Sequence, residues 1–379
     1  MIKAVLLDLD ETLLRNPNQG FVPAYLHLID HYFEQRFGVT VSSALLQAVR
    51  TLSSPRDMRQ SNLAVMLDRL GAPGQIEEGQ LLDAIQDFYL NHYPELQVCT
   101  SPVELAPELV NALRQRGYRL VIATNPLYPQ AAIYQRLKWA GLPYTADDYD
   151  FITTADNTHF AKPNPAYYAE IIGRLGIEPD EALMIGDSEG NDIRPAAEIG
   201  IRTLLVQPGE LGGVYQQINQ FENLTPPTLG PAGVIAQLQG NTGALSGLLE
   251  TLQPHYWDQH PIPGEWSPLE ILCHLVEREQ HVHLARIRRI VAENNPFIVD
   301  PGPGQPVRCA ETGDLAASTF VELRQQTITF LQGLPEDAWQ RPARHSIFGP
   351  TTLFEMAMFT AQHDRLHLRQ LCQTIGRCQ

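Results

Sequence analysis

In the first half of the chain, mainly apolar runs of four to six residues stand at 2–7, 119–123, 182–185 and 203–206. Runs of that length without alternation predict strands covered on both faces. Amphipathic stretches lie between several of them, for example over 108–116. Strand–helix alternation of this kind predicts a parallel α/β sheet with helices on both faces. Between about 15 and 100 the pattern changes. There helices are predicted over 24–37, 43–52, 62–70 and 79–93, and no clear strand. This reads as a helical insertion over the carboxyl end of the first strand.

From 207 to about 233 the chain is rich in Gly, Pro, Asn and Gln, and residues 225–231 (Thr-Pro-Pro-Thr-Leu-Gly-Pro) are the best linker candidate. Beyond it strands are expected to disappear and long amphipathic helices to dominate, as in a four-helix bundle. Ser267-Pro268-Leu269-Glu270 and Thr352-Leu353-Phe354-Glu355 both read as capping boxes that open helices, the first with Trp266 and Ile271 as a candidate hydrophobic staple. The last helix is expected to run to about Ile375, with Met356, Phe359 or Thr360, His363, His367 and Leu371 facing inward. The expected division is therefore 1–225 and 229–379. No internal repeat or low-complexity tract is present.

Length agrees with two domains, because 379 residues exceed one ordinary core. The net charge of −16 argues against a nucleic-acid backbone as main partner, but leaves room for a small phosphorylated substrate that needs only a local positive site. Cys99, Cys273, Cys309, Cys372 and Cys378 are odd in number and scattered, without metal-knuckle spacing, so a reduced intracellular protein is expected. The chain opens directly on a strand carrying Asp8 and Asp10, which is not a secretory pattern. No apolar stretch approaches the ~18 residues of a membrane span. The expected location is the cytoplasm.

The candidate chemistry of the first half begins with Asp8 and Asp10 at the end of the first strand. Two acids there are costly to bury unless something binds them, and a hard cation such as Mg²⁺ prefers such oxygen ligands. Three further signals follow in order: Thr124-Asn125 after the second predicted strand, Lys162 just before a helix, and Asp187 to Asp192 in a glycine turn after a third strand. In an open parallel sheet ligands bind at the carboxyl ends of the strands, where all four would converge. Taken singly, Asp187 reads as a helix cap, Lys162 as a solvated lysine and Thr124-Asn125-Pro126 as a turn.

Over roughly residues 1–210 this order and spacing resembles the haloacid-dehalogenase-like superfamily, with 15–100 in the place of its helical cap. The resemblance implies a Rossmann-like core and a Mg²⁺-dependent phosphatase acting on a small phosphorylated metabolite. Asp8 would be the nucleophile that forms an aspartyl-phosphate, and Asp10 the general acid and base. Mg²⁺ would bind Asp8, Asp187 and the Asp10 carbonyl, with Asp192 holding Lys162 or a metal-bound water. Thr124 and Lys162 would bind phosphoryl oxygens, and Asn125 would orient the loop. The acid at position 10 favours phosphate-ester hydrolysis, since the superfamily's dehalogenases lack it. Glu11 replaces a glycine often seen there. Arg15, Asn16, Asn18, Gln19 and Phe21 are the first candidates for choosing the substrate.

Eight of the 12 histidines follow the linker. His363 and His367 are four apart on the inward face of the last helix, and His274 lies on a facing one. Three imidazoles so placed suit Zn²⁺ or Ni²⁺; satisfied core histidines are the bland alternative. His281, two turns after His274, is the alternative third ligand, and Glu277 an extra ligand or a surface residue. Cys273 reads as packing. Trp266-Ser267 ahead of His274, and His363-x₃-His367-x₂-Gln370, resemble the DinB-like (DinB/YfiT) bundle family over about 235–379. That resemblance implies a divalent metal on His274, His363 and His367, and admits either a thiol-dependent transferase or a non-catalytic sensing or dimerisation module. Members commonly form homodimers through their helices, although no exposed seam is evident here.

Overall fold

The computed structural model describes all residues except Ser53, 55–57, Pro303, 305–307 and 378–379, and leaves aside the side chain of Asn18. The chain forms two compact units, Met1–Tyr167 with Pro179–Thr228, and Leu229–Gln379 with Tyr168–Glu178.

The first unit is built on five parallel strands in the order β5-β4-β1-β6-β7: β1 (Ala4–Leu7), β4 (Arg119–Ile122), β5 (Phe151–Ile152), β6 (Ala182–Gly186) and β7 (Arg202–Leu205). β1 and β6 are buried along their whole length, which explains why they read as unbroken apolar runs. β5 was not expected; its two residues carry too little pattern to be read. A short antiparallel ribbon, β2 (Leu14–Arg15) on β3 (Ser101–Pro102), closes the base of the helical insertion. Within it lie α1 (Asn18–Phe37), α2 (Ser42–Leu52), α3 (Asn62–Gly71) and α4 (Glu78–Asp87). Helix α1 starts six residues earlier than its pattern suggests, with Pro23 inside it. Pro23 is the sixth residue of the helix, so it forfeits one intrahelical bond there. Between the strands run α5 (Ala106–Gln115), α6 (Gln130–Trp139), α7 (Pro165–Leu175), whose residues from Tyr168 on belong to the second unit, and α8 (Arg194–Glu198), and α9 (Gly212–Gln217) follows β7.

The second unit contains α10 (Pro231–Leu249), α11 (Pro268–Arg278), α12 (Leu284–Ala292), α13 (Gly313–Gln332) and α14 (Leu353–Ile375). α11 and α12 are one helix interrupted by a π-turn at Glu279–His283, so the bundle has four helical rods. Both expected capping boxes are present, Ser267 with Glu270 and Thr352 with Glu355. The expectation that strands vanish here is corrected. β8 (Phe297–Ile298), β9 (Pro342–His345) and β10 (Gly349–Thr352) form a small sheet, with β9 and β10 a hairpin turned at Gly349, where φ is +76°. Such short strands beside a proline carry little strand signal.

The cysteine reading is corrected as well. Cys273 and Cys309 are joined in a disulfide, whereas Cys99 and Cys372 are free thiols and Cys378 lies outside the described residues. Among the described residues, no helix is long and apolar enough to cross a membrane.

Candidate active site and metal centre

The first site forms where β1, β4 and β6 end. The Asp8 amide donates to the Ile185 carbonyl of β6 (3.0 Å), which fixes the chain as it leaves the sheet. The Asp8 carboxylate is buried, with one oxygen on Lys162 Nζ (2.7 Å) and the other accepting from Thr12 Oγ1 (3.1 Å). Thr12 Oγ1 also lies 3.4 Å from Asp187, so the two carboxylates stand side by side. Lys162, itself buried, reaches Asp192 at 2.5 Å, and the second Asp192 oxygen accepts from the Ser188 amide (3.0 Å). A Cβ on Gly186 would collide with that carboxylate, so glycine is required there. Oxygens of Asp8, Asp187 and Asp192 lie within 4.8 Å of one another.

Among the described residues, this cluster gathers three carboxylates around one lysine, which pairs with Asp8 and Asp192. Burial pushes the Asp8 carboxyl well above the ordinary range, and Lys162 pulls against that shift. Burial, reinforced by Asp192, raises Asp187 as well. Thr124 is fully buried, yet its Oγ1, like Asn125 Oδ1, has no partner among the described residues. Buried polar atoms are ordinarily satisfied, so both point to a ligand group. The oxygen donor set, the negative surplus and the burial fit Mg²⁺.

Asp10 takes a different partner. Both its oxygens face Arg136 Nη1 (3.1 and 2.9 Å), and one accepts from Asn16 Nδ2 (2.8 Å). Arg136, from α6, is 1% exposed; its Nε donates to the Tyr93 hydroxyl (2.7 Å) and its guanidinium lies over Tyr128 and Phe21. Burial opposes its charge, but the Asp10 carboxylate together with Tyr93 and Tyr128 outweighs that, so it stays a cation. Sequence reasoning missed Arg136, because it stands 126 residues from its partner. Glu11 adopts φ +62°, which explains the glycine often found there; its carboxylate offsets the strain by accepting from the Asn16 amide (2.6 Å) and pairing with Arg15 (3.4 Å).

These residues line one cavity of about 270 Å³ that takes in Asp8, Asp10, Asn125, Arg136, Lys162 and Asp187. Of the substrate-choosing candidates, Asn16 and Phe21 line it. Arg15 instead donates to the Pro208 carbonyl (2.7 Å), Gln19 is exposed, and the Asn18 side chain lies outside the described residues.

The second site lies within the bundle. His274, His363 and His367 bring ligand nitrogens within 4.8 Å of one another, with His274 Nε2 3.3 Å from His363 Nε2. Trp266 stacks flat on His367 and tilts against His274. Its ring therefore belongs to the site rather than serving only as a staple. Gln370 Oε1 lies 3.1 Å from His367 Nδ1, an acceptor that keeps the proton there and leaves Nε2 bare. Burial lowers His274 to about 4, aided by His367, and holds His363 and His367 down as well. Neutral imidazoles are the form a transition metal binds.

The reading of His281 as alternative ligand is corrected. His281 and Glu277 are both exposed. The π-turn over Glu279–His283 adds a residue to the turn, so His283 comes inward in its place, its ring 5.0 Å from that of His363. Its Nδ1 lies 3.2 Å from Thr360 Oγ1, whose own hydrogen goes to the Met356 carbonyl; His283 Nε2 is buried without a partner among the described residues.

The depressed imidazoles set a pH dependence. A base whose folded pKa is lowered contributes stability above its unfolded pKa and loses it as pH falls toward the folded value. In metal-free protein the bundle should therefore melt at progressively lower temperature as pH drops from about 6.5 to about 4. Calorimetry across that range checks this; a flat profile would contradict neutral buried histidines.

Residues 2–200 match the family described as haloacid dehalogenase-like hydrolase, and residues 237–371 match the DinB superfamily. Pyrophosphatase PpaX of Halalkalibacterium halodurans is 26% identical over 221 residues, which is 58% of this chain and 90% of that protein. PpaX of Bacillus mycoides is 26% identical over 214 residues, 56% of this chain and 87% of that one. Among solved structures, a HAD phosphatase from Thermococcus onnurineus is 24% identical, covering 54% of this chain and 86% of its own at a TM-score of 0.35. YfiT from Bacillus subtilis is 17% identical, covering 39% and 87% at a TM-score of 0.33.

Proposed function

Because the chain belongs to the haloacid dehalogenase-like hydrolases, we propose that its first unit hydrolyses a small phosphorylated metabolite, with Asp8 as nucleophile. The observation that carries this is the cluster of buried Asp8 and Asp192 with half-buried Asp187, which Lys162 joins through Asp8 and Asp192, beside the orphan hydroxyl of Thr124. Mg²⁺, held by Asp8, Asp187 and the Asp10 carbonyl, would supply positive charge between nucleophile and substrate. Asp192 has both oxygens engaged, so its part is to hold Lys162 toward Asp8. An Asp8 carboxylate oxygen attacks phosphorus, the leaving oxygen takes a proton from Asp10, and Asp8 carries the phosphoryl group. Asp10 then removes a proton from water, which attacks phosphorus and frees Asp8 and phosphate. Lys162, Thr124 Oγ1 and Asn125 stabilise the phosphoryl oxygens as charge spreads over them. A panel of small phosphate compounds assayed with Mg²⁺ and with EDTA tests the reading. Mg²⁺-dependent release from at least one compound is expected; release unaffected by EDTA would contradict it.

Inorganic pyrophosphate belongs first in that panel. Arg136 sets a buried cation beside Asp10, where the leaving group departs, and a departing phosphate would meet it. The relatives named pyrophosphatase agree with this choice. Arg136→Lys, which keeps the charge but loses the planar fork, should lower kcat/KM on pyrophosphate by roughly 10²-fold and on an aryl phosphate by far less. Equal losses on both would argue that Arg136 only positions Asp10.

The second unit is a DinB-like domain, and we assign its metal to His274, His363 and His367, with Zn²⁺ or Ni²⁺ as the ion that imidazole donors favour. Metal analysis of the purified protein should find one such ion per chain, lost in His363→Ala.

A further inference from the structure

Beside the histidine triad the bundle holds a second cavity, of about 270 Å³, and nothing in the phosphatase reading uses it. Its lining combines apolar Val282, Ile347 and Phe359 with Arg278, Arg286, His283 and His363. Both arginines are nearly buried, at 6% and 8% exposure. A buried guanidinium is costly unless anions accompany it. Among the described residues, Asp300 is the one carboxylate lining the cavity, and it lies 3.3 Å from Arg286 Nη2. Arg278 donates from Nη2 to the Gly302 carbonyl (2.9 Å) and pairs through Nε with Glu277, which faces solvent. Two guanidiniums thus face one internal carboxylate. His283 lines the same cavity and is 3% exposed, and its Nε2 has no partner among the described residues.

We propose that this cavity binds a small carboxylate with an apolar body. The carboxylate meets Arg278, whose planar donors match it, and neutralises the surplus charge. The apolar body lies against Val282, Ile347 and Phe359. His363 belongs both to this lining and to the triad, so the bound molecule sits next to the metal centre. The π-turn is the local device behind the arrangement, since it brings His283 inward between the turns that carry Arg278 and Arg286.

Benzoate is the probe, titrated calorimetrically into the full-length protein as purified. Saturable binding is expected, weakened by about 10-fold or more in Arg278→Met, the effect of losing a charge-assisted contact. Benzyl alcohol, of the same size but neutral, should bind weakly or not at all. Ile347→Trp, at a residue 67% exposed on the rim, should block benzoate without touching the core. Asp8→Asn should bind benzoate like the parent, which separates this inference from the phosphatase reading. Equal affinity for benzyl alcohol, undiminished binding in Arg278→Met or Ile347→Trp, or no saturable benzoate binding would each overturn the proposal. Saturable binding of inorganic phosphate in place of benzoate would overturn the carboxylate assignment.

Discussion

Asp8→Asn is expected to abolish phosphate release while leaving the fold intact. The amide nearly matches the carboxylate in size, and Thr12 and Lys162 remain beside it. It removes the atom that attacks phosphorus, and loss of a covalent nucleophile costs roughly 10⁴- to 10⁶-fold in kcat. Stability should change in the opposite sense to activity. Burial holds the Asp8 carboxyl well above its ordinary pKa, so the charged form is disfavoured in the folded state. An acid with a raised folded pKa contributes stability below its unfolded pKa and loses it as pH rises through the folded value. At neutral pH, without Mg²⁺, a permanently neutral side chain at this position should melt no lower than the parent. A paired assay of phosphate release and thermal melting reads both effects; residual activity near parent levels would remove Asp8 from its role.

Arg324→Met is expected to produce the largest loss of stability in the second unit. Arg324 is fully buried and binds both Glu279 and Asp364, which are themselves buried. Thr327 donates to Glu279 and Asn241 to Asp364, so the network is closed by neutral donors on its far sides. Removing the one cation leaves two buried carboxylates uncompensated, and breaking such a pair costs about 3–5 kcal/mol. Burial already raises Asp364, and Arg324 is what holds the shift in check. The variant's loss should therefore be smaller near pH 5 than near pH 8, because Asp364, already raised, can protonate at the lower pH. Urea unfolding followed through Trp257, Trp266 and Trp339 measures it. Adding Glu279→Gln and Asp364→Asn should restore part of the lost stability; a pH-independent loss would point to packing alone.

Legibility in the sequence followed chain distance. The parallel strands β1, β4, β6 and β7 were readable because each is built on a short, mainly apolar run, and both capping boxes because their residues lie three apart. The residues of the two sites were readable as motifs at strand ends and on helix faces, and the structure gathers Asp8, Lys162, Asp187 and Asp192 in one place and His274, His363 and His367 in another. Arg136 and Arg324 carry no such local mark. Each looks like an ordinary helical arginine until the fold brings a distant carboxylate to it. His283 was missed for a different reason. Extrapolating an α-helical repeat from His274 selects His281, whereas the π-turn over Glu279–His283 brings His283 inward instead. The pairing of Cys273 with Cys309 depends on how the chain returns after β8, which no spacing rule conveys.

The central claim is that a phosphoryl group passes through Asp8. The most direct measurement mixes the protein with Mg²⁺ and the best substrate of the panel, reduces any acyl phosphate with borohydride, and maps the product by peptide mass spectrometry. Reduction converts a phosphorylated aspartate to homoserine, so the account predicts that change at position 8, and at no other carboxylate of the cavity. Conversion at Asp10, Asp187 or Asp192, or steady turnover with no carboxylate converted, would contradict it.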